Sequence, residues 1–510
     1  MSIFRTKSVD DVLANSNIDT HGDPVPGKGH LARNLTAWDL MGFGIGIVIG
    51  TGIFTLTGLQ AKNSAGPAIM ISFLIAGFVS LLAALCYAEL AAAVPAAGSS
   101  YTYAYTTIGE IFAWIIAWDL ILEFALGAAV VARGWSGYLL GVFPFLPSSV
   151  FGEDSVVNLG AVFIVLVLGA VAIKGVKESA WVTNTLVIIK VSVCLFVILV
   201  GLFFIQKANL VPFVPPSQPV PADQTTSTLT APLWQVLTGT TPTAFGMVGV
   251  FVAAAVVFFA YSGFEAVANL GEETKNPKKD MPLGLLGTLG ICTLLYMGVC
   301  LVITGMVKYT DLSEGDAVAQ VFREVGLGWA GVLIGLAAVA GLSSVILVDM
   351  VAMGRIGFAL SRDGLLPPVF RKIHPTWNTP VLMTSLTVAV VALLAAFVPL
   401  AELAEMVSIG TLFAFLVVSI AVPVLRVKRP DMRRPFRAPL SPVLPIVSGI
   451  CCVLLMSNLA VETWLRFLIW LVIGLVVYVA YGRTHARLAD PARFDALVHE
   501  DEDASSTPKD

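Results

Sequence analysis

The most constraining feature of this chain is an apolar run from Trp38 to Ala61 that glycine interrupts repeatedly. About 20 apolar residues are enough for a membrane-spanning helix, so this run is long enough to cross a bilayer. Its centre, GIVIGTGIF, contains three glycines, and glycine lets a chain leave helical geometry at little steric cost. Lipid cannot satisfy the backbone groups that such a break frees, so the break must face protein or a water-filled cavity. A glycine-rich packing face between helices is the alternative interpretation.

A second apolar run, 246–269, is interrupted in the same way by Tyr261-Ser262-Gly263. Glycine-interrupted helices at corresponding positions of two halves are typical of transporters built from inverted repeats, whose binding site lies at the membrane midplane. The second break therefore favours a broken helix over a packing face in the first run. A helix that restarts at Thr51 would direct its first N–H groups at the cavity, where they favour an anion.

The composition indicates a polytopic membrane protein. Hydrophobic residues make up 57% of the chain and charged residues 13%, against about 25% charged in soluble domains. No cofactor, nucleotide or nucleic-acid motif is recognised, and no cysteine or histidine spacing predicts a metal site. We predict twelve spans. They cover 38–61, 67–94, 103–130, 156–174, 181–206, 246–269, 283–307, 329–358, 380–398, 402–425, 442–460 and 463–482.

The distribution of positive charge predicts the orientation. Most of the 30 Lys and Arg residues fall in segments that lie on one side of the membrane when both termini are cytoplasmic. This bias matches the positive-inside rule and predicts a protein of the plasma membrane, the inner membrane in bacteria. The predicted organisation comprises a cytoplasmic N-terminal tail (1–37), spans 1–5 (38–206), an extracytoplasmic Pro-rich loop (207–245), spans 6–10 (246–425), a basic loop with spans 11 and 12 (426–482), and a cytoplasmic C-terminal tail (483–510).

Five motifs in order resemble a known family. GIGIVIGTGIF (44–54) resembles the first-span signature of the amino acid–polyamine–organocation (APC) superfamily. Four further segments resemble motifs of its cationic amino acid transporter (CAT) family. They are CYAELAAAVPAAGSSYTYAY (86–105), WDLILEFALG (118–127), FFAYSGFEAVANLGEETKNPKKDMP (258–282) and GRIGFALSRDGLLP (354–367). The resemblance implies an all-α LeuT-type fold with two inverted five-helix repeats and two further helices.

The same resemblance places a substrate at the two breaks. Amides of Thr51 and Gly52, with the Thr51 hydroxyl, would donate to the carboxylate of an L-amino acid. Backbone carbonyls of the first and sixth spans would accept from its α-ammonium group. For Ser262, a hydrogen bond back to its own helix is an equal alternative. The residues predicted to bind substrate are Ile47, Gly50, Thr51, Gly52, Phe259, Ala260, Ser262 and Glu265.

Two ionisable residues within spans are candidates for proton coupling. Lys190 lies too deep in the fifth span to reach water readily, and intramembrane ionisable groups are usually functional. In proton-coupled relatives, a lysine of the fifth span is thought to supply the charge that a sodium ion supplies in others, and Lys190 matches that lysine. Glu123, in the third span, could pair with Lys190 or with a protonated state of the carrier, and a purely structural ion pair is the alternative. Asp119 lies one turn before Glu123 on the same face.

Three further acidic positions are candidates for other roles. Glu265 occupies the position where the family usually has aspartate, and it could meet a cationic substrate side chain or assist proton coupling. Glu89 and the Arg362-Asp363 pair are predicted to be architectural or gate residues.

The leading functional prediction is a proton-coupled importer of cationic or small neutral L-amino acids that works by alternating access. An amino acid exchanger of the same fold and a transport-inactive amino acid sensor are the alternatives. The predicted partners are the amino acid, the proton and membrane lipid, with the oligomeric state left open and a monomer allowed. An enzyme is disfavoured because neither HExxH nor GxSxG occurs in the chain.

Overall fold

The chain is mostly α-helical, as the sequence predicts. The structure is a computed structural model, and it describes residues 5–7, 34–93, 99–153, 155–175, 180–219, 228–271, 273–377, 379–430, 432, 434–487 and 489. Within these residues the only sheet pairs two short antiparallel strands, β1 (Gln218–Pro219) and β2 (Thr243–Ala244).

Twelve α-helices of 12 residues or more form the body of the described chain. They are α1 (Ala37–Val48), α2 (Ile69–Ala93), α3 (Glu110–Val142), α4 (Leu159–Lys174), α5 (Ala180–Gly201), α6 (Gly246–Val257), α7 (Pro277–Met306), α8 (Gly328–Arg362), α9 (Val381–Phe397), α10 (Leu400–Lys428), α11 (Val443–Ser457) and α12 (Val461–Val477). Shorter α-helices are Thr57–Gln60, Ser99–Thr107, Ser148–Phe151, Leu233–Thr238, Ala317–Glu324 and Arg483–His485.

The helices support the assignment to polytopic membrane proteins. Among the described residues, eight helical stretches are long and apolar enough to cross a bilayer, and four shorter apolar helices (α1, α4, α9 and α11) accompany them. The longest stretch, Gly52–Ala93, contains the second part of the first predicted span together with α2. Each of the twelve predicted spans overlaps the helix of the same number.

The predicted third span, 103–130, is wrong at both ends. The chain turns at Gly109, whose φ of 134° is strained for other residues, so Ser99–Thr107 is a separate helix and α3 begins at Glu110. The helix continues to Val142 past Arg133, which is 2% exposed. The Arg133 guanidinium donates to the carbonyls of Ala395 (2.9 Å) and Ala396 (3.0 Å) and pairs with Glu153 at 3.2 Å. Because these partners satisfy it, this arginine does not end the helix.

The segment 207–245 contains more regular structure than a plain loop. Its described residues include both strands and the helix Leu233–Thr238, while residues 220–227 lie outside the described chain. Phe245 N–H donates to Ser64 O at 3.1 Å, which fastens the segment to the helical turn Ala61–Ala65 after the first span. Most residues of both terminal tails lie outside the described chain.

Several helices pack against the helix five places further along the chain. α2 packs on α7, α3 on α8 and α4 on α9, and α1 packs on the segment Phe264–Leu270 that follows the break in the sixth span. Apolar area buried along these contacts supplies the core, and small residues allow close approach where the helices cross. This arrangement brings the two helix breaks together at the centre of the bundle.

Candidate functional site

The first predicted span is broken at its centre. α1 ends at Val48, where Ile49 turns to an extended conformation (φ −75°, ψ 96°), and helical structure resumes as the π-helix Gly52–Leu56. The backbone ladder restarts with Phe54 N–H donating to Gly50 O at 3.5 Å. The first N–H groups of a helix lack intrahelical acceptors, and so the break presents donors beside the carbonyls that end α1.

The sixth span is broken at the predicted place as well. After α6 come the 3-10 turn Phe258–Tyr261, an extended Ser262 and Gly263 at φ 96°, before the 3-10 segment Phe264–Leu270. Ser262 N–H donates to Phe259 O at 3.0 Å, but the Ser262 hydroxyl has no partner among the described residues. The predicted back-bond of that hydroxyl to its own helix is therefore not formed.

The two breaks lie directly against each other. A Cβ atom added at Gly52 would collide with the Cα and Cβ atoms of Ala260, and one at Gly263 would lie against Ile47. Gly52 is thus required for close packing of the two broken spans, beyond any exposure of its backbone to a ligand. At Gly50 the surroundings differ, because an added Cβ would meet only Val345, at 3.8 Å.

Tyr296 of α7 ties the two breaks together, and the sequence did not identify it. Its buried hydroxyl lies 2.7 Å from Val48 O and 3.1 Å from Ala260 O, one at each break. The Ala260 carbonyl, predicted to accept from a substrate ammonium, therefore already has a partner, although an oxygen can accept a second hydrogen bond.

All eight residues predicted to bind substrate line one cavity, together with Glu123. The remaining walls come from α3 and α8. They contribute Phe124, Gly127, Val131, Val345 and Asp349. Thr51 is fully buried, and its hydroxyl has no hydrogen-bond partner among the described residues. The cavity thus combines unpaired backbone donors, carbonyl acceptors and three carboxyl side chains.

Lys190 does not line the cavity but lies beside the first break. Its side chain is 2% exposed, and its Nζ donates to Gly46 O at 2.8 Å. That carbonyl belongs to the last turn of α1. Carbonyls in the last turn of a helix have no backbone N–H donor from a following turn, so the Gly46 carbonyl is available to Lys190. On the other side, the stem of Lys190 lies against Gly341 of α8, where an added Cβ would come within 2.9 Å of Cε. The ammonium therefore stands between α1 and α8.

The proposed pairing of Glu123 with Lys190 is wrong for this conformation. Glu123 instead accepts a hydrogen bond from the Thr411 hydroxyl of α10 at 2.8 Å. Asp119 faces α10 too, against Gly410, and neither of its carboxylate oxygens has a partner among the described residues. Both acids thus point at α10, because that helix packs along this face of α3.

Glu265 and Asp349 complete the acidic side of the cavity. The Glu265 carboxylate accepts from Gly263 N–H at 3.1 and 3.0 Å, so it also stabilises the turn at the second break. Asp349 lies on α8 and is 9% exposed.

The acids predicted to be architectural or gate residues lie away from the cavity. Glu89 pairs with Arg426 at 2.6 Å and accepts from Ala438 N–H at 2.7 Å. Asp363 accepts from the Tyr101 hydroxyl at 2.7 Å and faces Lys7 at 3.7 Å. These contacts tie the ends of α2, α8 and α10 to neighbouring segments.

A comparison with known families decides the class of the protein. The profile of the family described as amino acid permease matches residues 35–479, which include both breaks and the whole cavity. The chain belongs to the amino acid permease family. It is a transporter of the APC superfamily rather than an enzyme.

Several relatives of this permease match along most of their length. The chain is 42% identical to the methylthioribose transporter of Bacillus subtilis and 41% identical to the branched-chain amino acid permease BcaP of the same organism. Each match covers 96% of this chain and 99% of the relative. It is also 36% identical to the vacuolar cationic amino acid transporter 4 of Arabidopsis thaliana, over 84% of this chain and 68% of that one. The predicted resemblance to the CAT-like branch of the superfamily is confirmed.

Asp349 of this permease carries a sequence signal, although it is not among the predicted site residues. Asp349 interrupts an apolar run, which is the same signal that identified Lys190 and Glu123. Tyr296 offered no such signal, because a tyrosine in a membrane helix is ordinary.

Proposed function

We propose that this integral membrane protein imports L-amino acids by alternating access, driven by protons, and that its helices form a LeuT-type fold. Spans 1–5 and 6–10 would be the two inverted repeats, with α11 and α12 added to them. The substrate would bind at the paired breaks, and Lys190 would be the coupling group with Glu123 nearby.

The packing of helices supports the repeat. Elements that lie next to a two-fold axis contact their own equivalents in the other copy. In this chain α2, α3 and α4 pack on α7, α8 and α9 in turn, and α1 packs on Phe264–Leu270, which continues the sixth span. An odd number of helices in each repeat makes the two copies antiparallel in the membrane, as the inverted arrangement requires.

The observation that carries the proposal is the meeting of two broken helices at one cavity. Free N–H groups at the start of Gly52–Leu56 favour the carboxylate of a zwitterion, and the carbonyl ends of α1 and of Phe258–Tyr261 favour its ammonium group. Both ends of the substrate backbone therefore find complementary dipoles within a few residues of each other.

The position of Lys190 supports proton coupling. Its ammonium donates to a carbonyl at the break, so its charge state bears directly on the geometry of the carboxylate site. A permanent charge at this depth is costly, and the cost depends on which side water can enter. A group whose proton affinity changes with the conformation can take up a proton outside and release it inside.

The relatives leave the substrate open. The branched-chain permease and the plant cationic transporters are named for amino acids, while the methylthioribose transporter is named for a thioether sugar. The paired helix ends favour a zwitterion over a sugar. Bacterial relatives support the cell membrane as the location, and the positive charge of the inner segments supports cytoplasmic termini.

Uptake into proteoliposomes tests the function. The purified chain would be offered radiolabelled lysine, arginine, leucine, alanine and methylthioribose, with an inward proton gradient, an inward sodium gradient, or neither. We expect amino acid accumulation with the proton gradient alone. Uptake only against preloaded amino acid would identify the exchanger, and binding without any flux would identify the sensor. Uptake of methylthioribose and of no amino acid would refute the proposed substrate class.

A further inference from the structure

One face of α8 runs alongside the cavity, from the level of Lys190 to that of Gly127. Gly341, Val345 and Asp349 are four residues apart and therefore lie on one stripe of the helix. Gly341 contacts Lys190, Val345 lies against Gly50, and Asp349 lies against Gly127 of α3. Asp349 is thus one turn, about 6 Å, beyond the level of the predicted carboxylate site at Gly50.

Asp349 differs from the other two acids of the cavity in its bonding. Glu123 is held by the Thr411 hydroxyl, and Glu265 is held by Gly263 N–H. Asp349 is 91% buried and lines the cavity, and no described residue gives it a hydrogen bond; the Lys190 ammonium attracts it without a direct ion pair. A buried carboxylate without a hydrogen bond is costly unless a ligand donates one.

The wall of the cavity opposite Asp349 is formed by α3. An added Cβ at Gly127 would come within 3.2 Å of Asp349 Oδ2, which is tighter than ordinary contact, so a side chain there would crowd the carboxylate. Phe124 and Val131, one turn to either side on α3, offer apolar surface on which a methylene chain can lie. The four-carbon stem of a lysine side chain covers a distance similar to one helical turn.

We propose that Asp349 binds the cationic end of the substrate side chain and thereby selects L-amino acids that carry a terminal ammonium or guanidinium group. This inference rests on the proposed function, because the backbone of the substrate must bind at the breaks for its side chain to reach α8. It assigns side-chain selection to Asp349 of the eighth span rather than to Glu265.

Three variants of the full chain test this assignment. Asp349→Asn removes the charge at constant size, and Asp349→Glu restores it. Gly127→Ala leaves the charge and fills the space beside it. Asp119→Asn is the matched control, because Asp119 is a buried carboxyl without a partner among the described residues that does not line the cavity. The Kd and uptake KM would be measured for lysine, arginine and leucine.

We expect Asp349→Asn to weaken lysine and arginine binding about 10- to 100-fold, the loss typical of a hydrogen bond to a charged group. Leucine binding should stay within about twofold, because it makes no contact that needs the charge. Asp349→Glu should recover part of the lysine affinity. Gly127→Ala should weaken arginine more than lysine, since the planar guanidinium is wider than an ammonium. Asp119→Asn should leave the lysine-to-leucine ratio unchanged.

An equal loss of lysine and leucine in Asp349→Asn, or transport of neutral amino acids alone by the wild type, would overturn the assignment while leaving amino acid transport intact. If Asp349→Asn does not fold, Gly127→Ala decides, and an unchanged arginine-to-lysine ratio counts against the assignment. Failure of the wild type to bind any amino acid would overturn the proposed function itself, and this inference with it.

Discussion

Gly50 and Gly52 separate two roles of glycine at the same break. An alanine at Gly50 would place its methyl group in the cavity, 3.8 Å from Val345, which is ordinary van der Waals contact. An alanine at Gly52 would collide with the backbone of Ala260. We therefore expect Gly50→Ala to impair transport in a well-folded protein and Gly52→Ala to impair folding.

The contacts give the magnitudes. At Gly50 no neighbour must move, so stability should change by about 0.5 kcal/mol or less. The methyl group would obstruct the approach of a carboxylate to the N–H groups of the break. Losing one hydrogen bond to a charged group costs about 1.5–3 kcal/mol, which weakens binding roughly 10- to 100-fold. At Gly52, forcing extra volume between packed helices should cost about 1–3 kcal/mol of stability.

Paired measurements of melting temperature and of substrate affinity distinguish the two effects. Gly42→Ala is the matched control, because Gly42 lies in α1 with no neighbour within 4 Å of an added Cβ. That control should melt at or above the wild-type temperature and transport normally. If Gly50→Ala binds amino acids with wild-type affinity, the carboxylate does not bind at this break. If Gly52→Ala melts like the wild type, the close packing against Ala260 does not matter for stability.

Three further variants examine the neighbouring groups. Methionine at position 190 cannot titrate, so Lys190→Met should abolish the accumulation that a gradient of one pH unit drives in the wild type, about tenfold per proton, while substrate still raises the melting temperature. Accumulation at the wild-type level in this variant would make the lysine structural. Tyr296→Phe removes the hydroxyl that bonds Val48 O and Ala260 O, and should lower the free energy of unfolding by about 1–3 kcal/mol. An unchanged melting temperature would show that the two breaks hold together without this hydroxyl. Glu265→Gln should lower lysine and leucine uptake alike, because Glu265 bonds Gly263 N–H in the turn, and a loss confined to lysine would return side-chain selection to Glu265.

The sequence by itself determined where helices form and where they break. Long apolar runs can satisfy their backbone in lipid only as helices, so hydropathy alone located the twelve segments. Glycine relaxes the backbone locally, and the interruptions at Gly50 and Gly263 could therefore be read without knowing any neighbour. Lys190 and Glu123 were recognisable because a charge inside an apolar run is costly wherever the run packs.

Tertiary structure decided everything that depends on which helix lies opposite. α3 extends past Arg133 because distant carbonyls at Ala395 and Ala396 accept from its guanidinium. Glu123 bonds Thr411 rather than Lys190 because α10 packs on that face of α3. Asp349 becomes a candidate site residue only because Gly127 lies across from it. Hydrophobic periodicity and composition define the faces of a helix. The helix that packs against each face is set by contacts between segments hundreds of residues apart.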